Sequence, residues 1–143
     1  MHDDKASPRR ARWCTAALVL ALLGPALPGV DAQPAGVSEQ RYPDVVAVRA
    51  HDGGQGRFDF DVTVSSPYDT ARRYADAFRV MSKEGVVYGE RRLLHDHADE
   101  QPFTRDIHGV AVPSGVRAVV VQARDSQHGY GGKAMQVALP GRD

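Results

Sequence analysis

The 143-residue chain has one cysteine, Cys14, and it lies near the N-terminus at the head of an apolar run. A lone thiol closes no disulfide, so the folded part must be held by a hydrophobic core. An excess of either charge is also missing. Eighteen Lys and Arg face eighteen Asp and Glu, for a formal net charge of zero. That balance offers nothing for a nucleic-acid or anionic-membrane partner, which would need a basic excess. Long apolar runs are absent as well. Trp13 to Gly24 is twelve residues, against about 20 for a spanning helix. No G-x-S-x-G elbow, no H-E-x-x-H, no phosphate-binding loop and no cysteine nucleophile in a recognisable setting is present. The expectation is that the protein is not an enzyme.

What is present begins with an export signal. Arg9, Arg10 and Arg12 precede the apolar run, Pro25, Pro28 and Gly29 break it, and Val30-Asp31-Ala32 supplies a cleavage site before Gln33. Residues 1–32 therefore read as a signal peptide. Arg9-Arg10 matches a twin-arginine motif poorly. A lipidated cysteine should follow the apolar run, whereas Cys14 opens it. Ordinary secretion is the simplest reading, with a periplasmic or extracellular destination and no membrane span after cleavage. The leader takes with it Lys5, Arg9, Arg10, Arg12, Asp3, Asp4 and Asp31, which leaves the mature chain one acid in excess.

Residues 33–43 are polar with prolines and a glycine, and read as a flexible lead-in. Residues 44–140 read as one β domain. Val45 to Ala50 is a β-branched first strand, followed by the turn cluster Asp52 to Gly56. Arg57 to Ser65 alternates, with Phe58, Phe60, Val62 and Val64 on one face and Arg57, Asp59, Asp61 and Thr63 on the other. Tyr68 to Met81 fits helix or strand; strand is favoured from about Tyr74, running into a hairpin at Ser82 to Gly85 and a return over Val86 to Leu94. Phe103 to Val112, Val116 to Ala123 and Lys133 to Leu139 are further strands, with Phe103, Ile107, Val110, Val119, Val121 and Ala123 facing inward. Seven strands at this spacing point to an antiparallel sandwich.

The pattern Ile107-x-x-Val110, Pro113-x-Gly115, Val119-x-Val121-x-Ala123-x-Asp125 and Gly129-Tyr130-Gly131 resembles the E-to-G region of a fibronectin type III or immunoglobulin-like domain. Tyr74 to Tyr88 is similar to that family's C–C′ hairpin, with Phe78 at the core aromatic position. The resemblance implies an all-β, immunoglobulin-like or fibronectin type III-like sandwich. By fold-level analogy it implies an exported binding or structural module of the cell envelope, whose partner is an unspecified protein or envelope component. The chain departs from the family in three places. Arg117 stands where the corner tyrosine would be, no cysteine pair links the sheets, and the usual tryptophan near strand B is missing.

The densest chemistry is His95-Asp96-His97-Ala98-Asp99-Glu100-Gln101-Pro102-Phe103-Thr104-Arg105. Histidines two apart in an extended chain project to one side. With His108 and His128 they are candidate ligands for zinc or copper, which take imidazole and carboxylate donors. This gives an alternative function, a periplasmic metal-binding protein. The other reading of the run is structural: Asp99, Glu100 and Arg105 form a polar latch seating a long crossover. His128 and Tyr130, in a glycine-rich tip, are candidate partner-binding side chains, or the glycines serve only the turn. Asp59, Asp61 and Asp125 give a weak calcium signal, since no compact loop gathers six oxygens.

Overall fold

The computed structural model describes residues 39–142. They form eight strands: β1 Asp44–Gly54, β2 Arg57–Ser65, β3 Ala75–Met81, β4 Val87–Arg92, β5 Phe103–Ala111, β6 Ala118–Asp125, β7 Gly129–Tyr130 and β8 Met135–Ala138. All named pairings are antiparallel. One sheet has the order β1-β2-β5; the other runs β4-β3-β6, with β7 and β8 both pairing β6. The fold is a β-sandwich, as the strand spacing implies.

The alternation in β2 is the clearest case of sequence becoming structure. Phe58, Phe60, Val62 and Val64 are buried, and they meet Phe78 and Val80 of β3 and Val119, Val121 and Ala123 of β6 in one core. Burying side chains of this size stabilises by roughly 1.5–3 kcal/mol each relative to leaving them in water. Phe103 and Val110 are buried as expected, while Ile107 is only partly covered.

Several expectations shift by a few residues, each for a local reason. β1 extends to Gly54, well past Ala50, because the turn needs only Gln55 and Gly56, both at positive φ (54° and 73°). That is the geometry of a two-residue hairpin whose twist suits its strands. The extra, eighth strand is β7, two residues that pair with β6 inside the stretch expected to be loop. Residues 68–74 are loop, held by a bridge between Thr70 and Arg73. The leader expected over 1–32 lies outside the described residues. Of the lead-in, 39–43 is described and is tied down, contrary to a flexible reading. Pro43 is buried, Gln40 donates to Ser65 O (3.1 Å), and Arg73 Nη2 donates to the carbonyls of Gln40 (3.2 Å) and Arg41 (2.8 Å).

Arg142 braces the corner between β5 and β6. Its guanidinium donates to the carbonyls of Val112 (2.9 Å), Val116 (3.0 Å) and Pro113, and lies 4.8 Å from the Phe58 ring centroid. The carbonyls of Val112 and Val116 gain a donor in this way, and Pro113 O, which also accepts from Val116 N (3.0 Å), gains a second. Among the described residues no helix is long and apolar enough to cross a membrane.

Candidate functional site: a basic cleft at the crossover

The chain leaves β4 at Arg92 and enters β5 at Phe103, crossing from the five-stranded sheet to the three-stranded one. A polar crossover of this length needs internal partners. The main one is Asp69, from the loop before β3. Its buried carboxylate accepts from Ala75 N (3.1 Å) and His97 N (3.1 Å), joining the two loops. Gln101 is the second anchor: Oε1 accepts from Ser66 N (2.7 Å), and Nε2 donates to Ser66 Oγ and His97 O (both 3.1 Å). Between them, Ala98–Glu100 make one 3-10 turn.

These anchors drive His97 inward. It is 2% exposed and stacks on Phe103, with ring centroids 3.9 Å apart and planes 12° apart. The exposed His95 ring is tilted by 37° against that of His97, with centroids 4.8 Å apart. Burial lowers the His97 pKa, and the nearby Arg105 cation adds to this against the opposing pull of Glu100. A neutral imidazole is the result at neutral pH. Its Nδ1 is buried with no hydrogen-bond partner among the described residues.

Beside this stack is an open cleft of about 210 Å³, lined by Arg91, Arg92, Leu93, Leu94, His95, His97 and Arg105. No carboxylate lines it. Each of the three arginines faces an acid that is not part of the lining. Arg91 Nη1 donates to Asp106 Oδ1 (2.5 Å) and to Asp106 O; Arg105 Nη2 donates to Glu100 Oε1 (2.6 Å); Arg92 Nη2 is 3.9 Å from Asp76 Oδ2.

The residues singled out from sequence are distributed as follows. His95 and His97 come together. His108 is elsewhere, on β5, between Asp59 (Nδ1–Oδ2 3.3 Å) and Asp106, contacts that raise its pKa. His128 lies near Tyr42, ring centroids 6.2 Å apart. Among the described residues no three His, Cys, Asp or Glu gather at metal-binding range, so the four-histidine zinc or copper shell is corrected. The physical reason is that Phe103 and Asp69 draw His97 into the wall while β5 carries His108 to the outer face of its sheet. The same finding removes the calcium reading of Asp59, Asp61 and Asp125. Asp125 instead serves the fold: wholly buried, it accepts from Gln127 N (2.9 Å), His128 N (2.8 Å) and Arg73 Nε (3.1 Å).

Glu100 and Arg105 do form an ion pair across the crossover, whereas Asp99 makes no hydrogen bond among the described residues and is exposed. Tyr130 lies flat on its sheet. Arg79 covers its ring at 3.9 Å and its hydroxyl donates to Glu90 (2.5 Å). Sequence reasoning passed over Asp69, Arg73, Arg91 and Arg92. A polar residue isolated in a loop and an arginine in a strand carry no local signature of what they will meet.

No protein-family model matches the chain. No solved structure matches it either. Over 97 residues it is 40% identical to a protein of Halomicrobium mukohataei named "Putative lipoprotein", a match that takes in 68% of this chain and 47% of that protein. The chain thus spans about half the length of the curated relative it matches.

Proposed function

We propose that this protein is an exported, non-catalytic binding module of the cell envelope, and that the crossover cleft is where it binds. The observation that carries this is the cleft's lining: three arginines and two histidines with no carboxylate, on a chain of zero formal net charge. The relative's printed name supports the envelope, and the leader over 1–32 supports export. A non-catalytic role is supported by how the buried acids are used. Asp69 and Asp125 spend their oxygens on backbone N–H groups and Arg73, and Asp76 Oδ2 accepts from Arg124 (2.6 Å), which are structural tasks. Membership of the fibronectin type III or immunoglobulin-like group is part of the same reading. Taking β1, β2, β3, β4, β5 and β6 as A, B, C, C′, E and F, and β7 with β8 as G, the sheets read A-B-E and C′-C-F-G.

The test is cell fractionation with intact-mass analysis of the mature chain. The proposal expects the protein in the envelope or the medium, starting at Gln33. A cytosolic, full-length chain would refute export. A lipid-modified Cys14 would keep the envelope and overturn the simple secretion route.

A further inference from the structure

β4 is an edge strand, paired with β3 on one side only. Across that seam Leu93 N donates to Asp76 O (2.8 Å). Backbone groups of successive strand residues point to opposite sides. Those of Gly89 and Arg91 therefore follow Leu93 toward β3, and those of Tyr88, Glu90 and Arg92 point outward. Among the described residues no other strand or loop pairs with this outward side. The edges of the other sheet are partly closed: Val45 N of β1 donates to Lys133 O (2.8 Å), and Arg91 Nη1 donates to Asp106 O of β5. A bare edge is a template for another strand, which proteins blunt with charge or proline. β4 has no proline, and its charges are of both signs, with Glu90 and Arg92 two apart and so on one face. Three of the four large apolar side chains left exposed stand at its ends: Val86 (59%) and Val87 (46%) at the start, and Leu94 (84%) just past the finish.

We infer that a second copy of this chain pairs on that edge, β4 against β4, antiparallel about a two-fold axis at Arg91. A two-fold axis normal to the sheet keeps opposed residues on the same face, so it passes through a residue. With the axis at Arg91, Glu90 of each copy stands opposite Arg92 of the other. An axis at Glu90 would oppose the two glutamates, and one at Gly89 would set Glu90 against Tyr88. Opposite charges across a strand pair attract and like charges repel, which favours the axis at Arg91. The two Arg91 side chains then meet on the other face, each held by its own Asp106 (2.5 Å). Glu90 and Arg92 have capacity for the pairing. Tyr130 donates to Glu90 Oε2 and leaves Oε1 free among the described residues, and Arg92, 62% exposed, is 3.9 Å from Asp76. Each opposed Glu90 and Arg92 also exchange two backbone hydrogen bonds. Antiparallel pairing brings opposite ends together, so Leu94 of one copy meets the Val86 to Tyr88 end of the other, and exposed apolar surface leaves water.

Sedimentation velocity and amide hydrogen exchange on the exported protein supply the test. The expected result is a monomer–dimer equilibrium that moves toward dimer with concentration and toward monomer with salt. The amides of Glu90 and Arg92 should be more protected in the dimer. Glu90→Arg or Arg92→Glu alone should weaken association about tenfold, since each turns two attractive pairs into repulsive ones. The double variant Glu90→Arg with Arg92→Glu restores both pairs in exchanged order and should dimerise like the native chain. It still lacks the native Tyr130 and Asp76 contacts, so its recovery comes from pairing between copies. Leu94→Ala should weaken the dimer and, at its exposure, leave the monomer's melting curve unchanged. A monomer at every concentration, β4 protection indifferent to concentration, or a double variant no better than the single ones overturns the inference. β4 amides protected only when another envelope protein is added would overturn it too, the edge then serving a foreign strand.

Discussion

Replacing Arg73 by alanine should be among the most damaging single changes in the domain. Its side chain is mostly buried, and it faces Asp125, which is wholly buried, at 3.1 Å. It also donates to two carbonyls of the lead-in and lies 4.2 Å from the Tyr68 ring centroid. Burial alone would raise the Asp125 pKa. The N–H groups of His128 and Gln127, with the Arg73 guanidinium, outweigh that and hold it below the ordinary value. Asp125 thus stays ionised, and Arg73→Ala leaves it without its cation. Removing one partner of such a pair costs about 3–5 kcal/mol. For a domain of this size that is a fall in Tm of about 15–25 °C. Thermal and urea unfolding would measure it. Because Asp125 keeps its two backbone donors, the double variant Arg73→Met with Asp125→Asn should cost less than the sum of the single changes. A loss under about 1 kcal/mol, the range of exposed pairs, would refute the view that this pair anchors the lead-in.

Arg142→Ala should lower stability by about 1–3 kcal/mol, since the carbonyls of Val112 and Val116 lose their side-chain donor and Pro113 O loses one of two; an unchanged urea midpoint would contradict the corner role. Gly132→Ala should disrupt the docking of the lead-in on the β7–β8 loop. A Cβ there would run into Pro43 O, and the backbone is at φ +72°; increased proteolysis near residue 43 is the readout. His97 and His108 give opposite pH signatures. The folded pKa of His97 lies below its ordinary 6.5, so its contribution is full above about 6.5 and is lost as pH falls toward the folded value. His97→Phe should flatten that acid limb. The folded pKa of His108 is raised, so its contribution is full below about 6.5 and lost as pH rises through the folded value. His108→Gln should remove that loss, as seen in Tm against pH.

The strand pattern was legible because alternation in β2 and the β-branched runs of β6 depend only on neighbours along the chain. The ends of β1 and the existence of β7 were less so, because a turn of Gln55-Gly56 carries little sequence signal and β7 exists only through pairing with β6. At the site, His95 to Arg105 pointed to the right segment but to the wrong chemistry. The spacing of His95 and His97 suggested a shared metal. Asp69, 28 residues before His97, takes the His97 amide, and Phe103 takes its ring. Arg91 and Arg92 read as ordinary strand residues until the crossover folds back beside them. Those contacts are set by tertiary packing, which local periodicity does not encode.

The most direct test of the account is intact-mass analysis of the protein recovered from fractionated cells. The account predicts an envelope-associated or secreted chain that starts at Gln33. A full-length chain confined to the cytosol would contradict it.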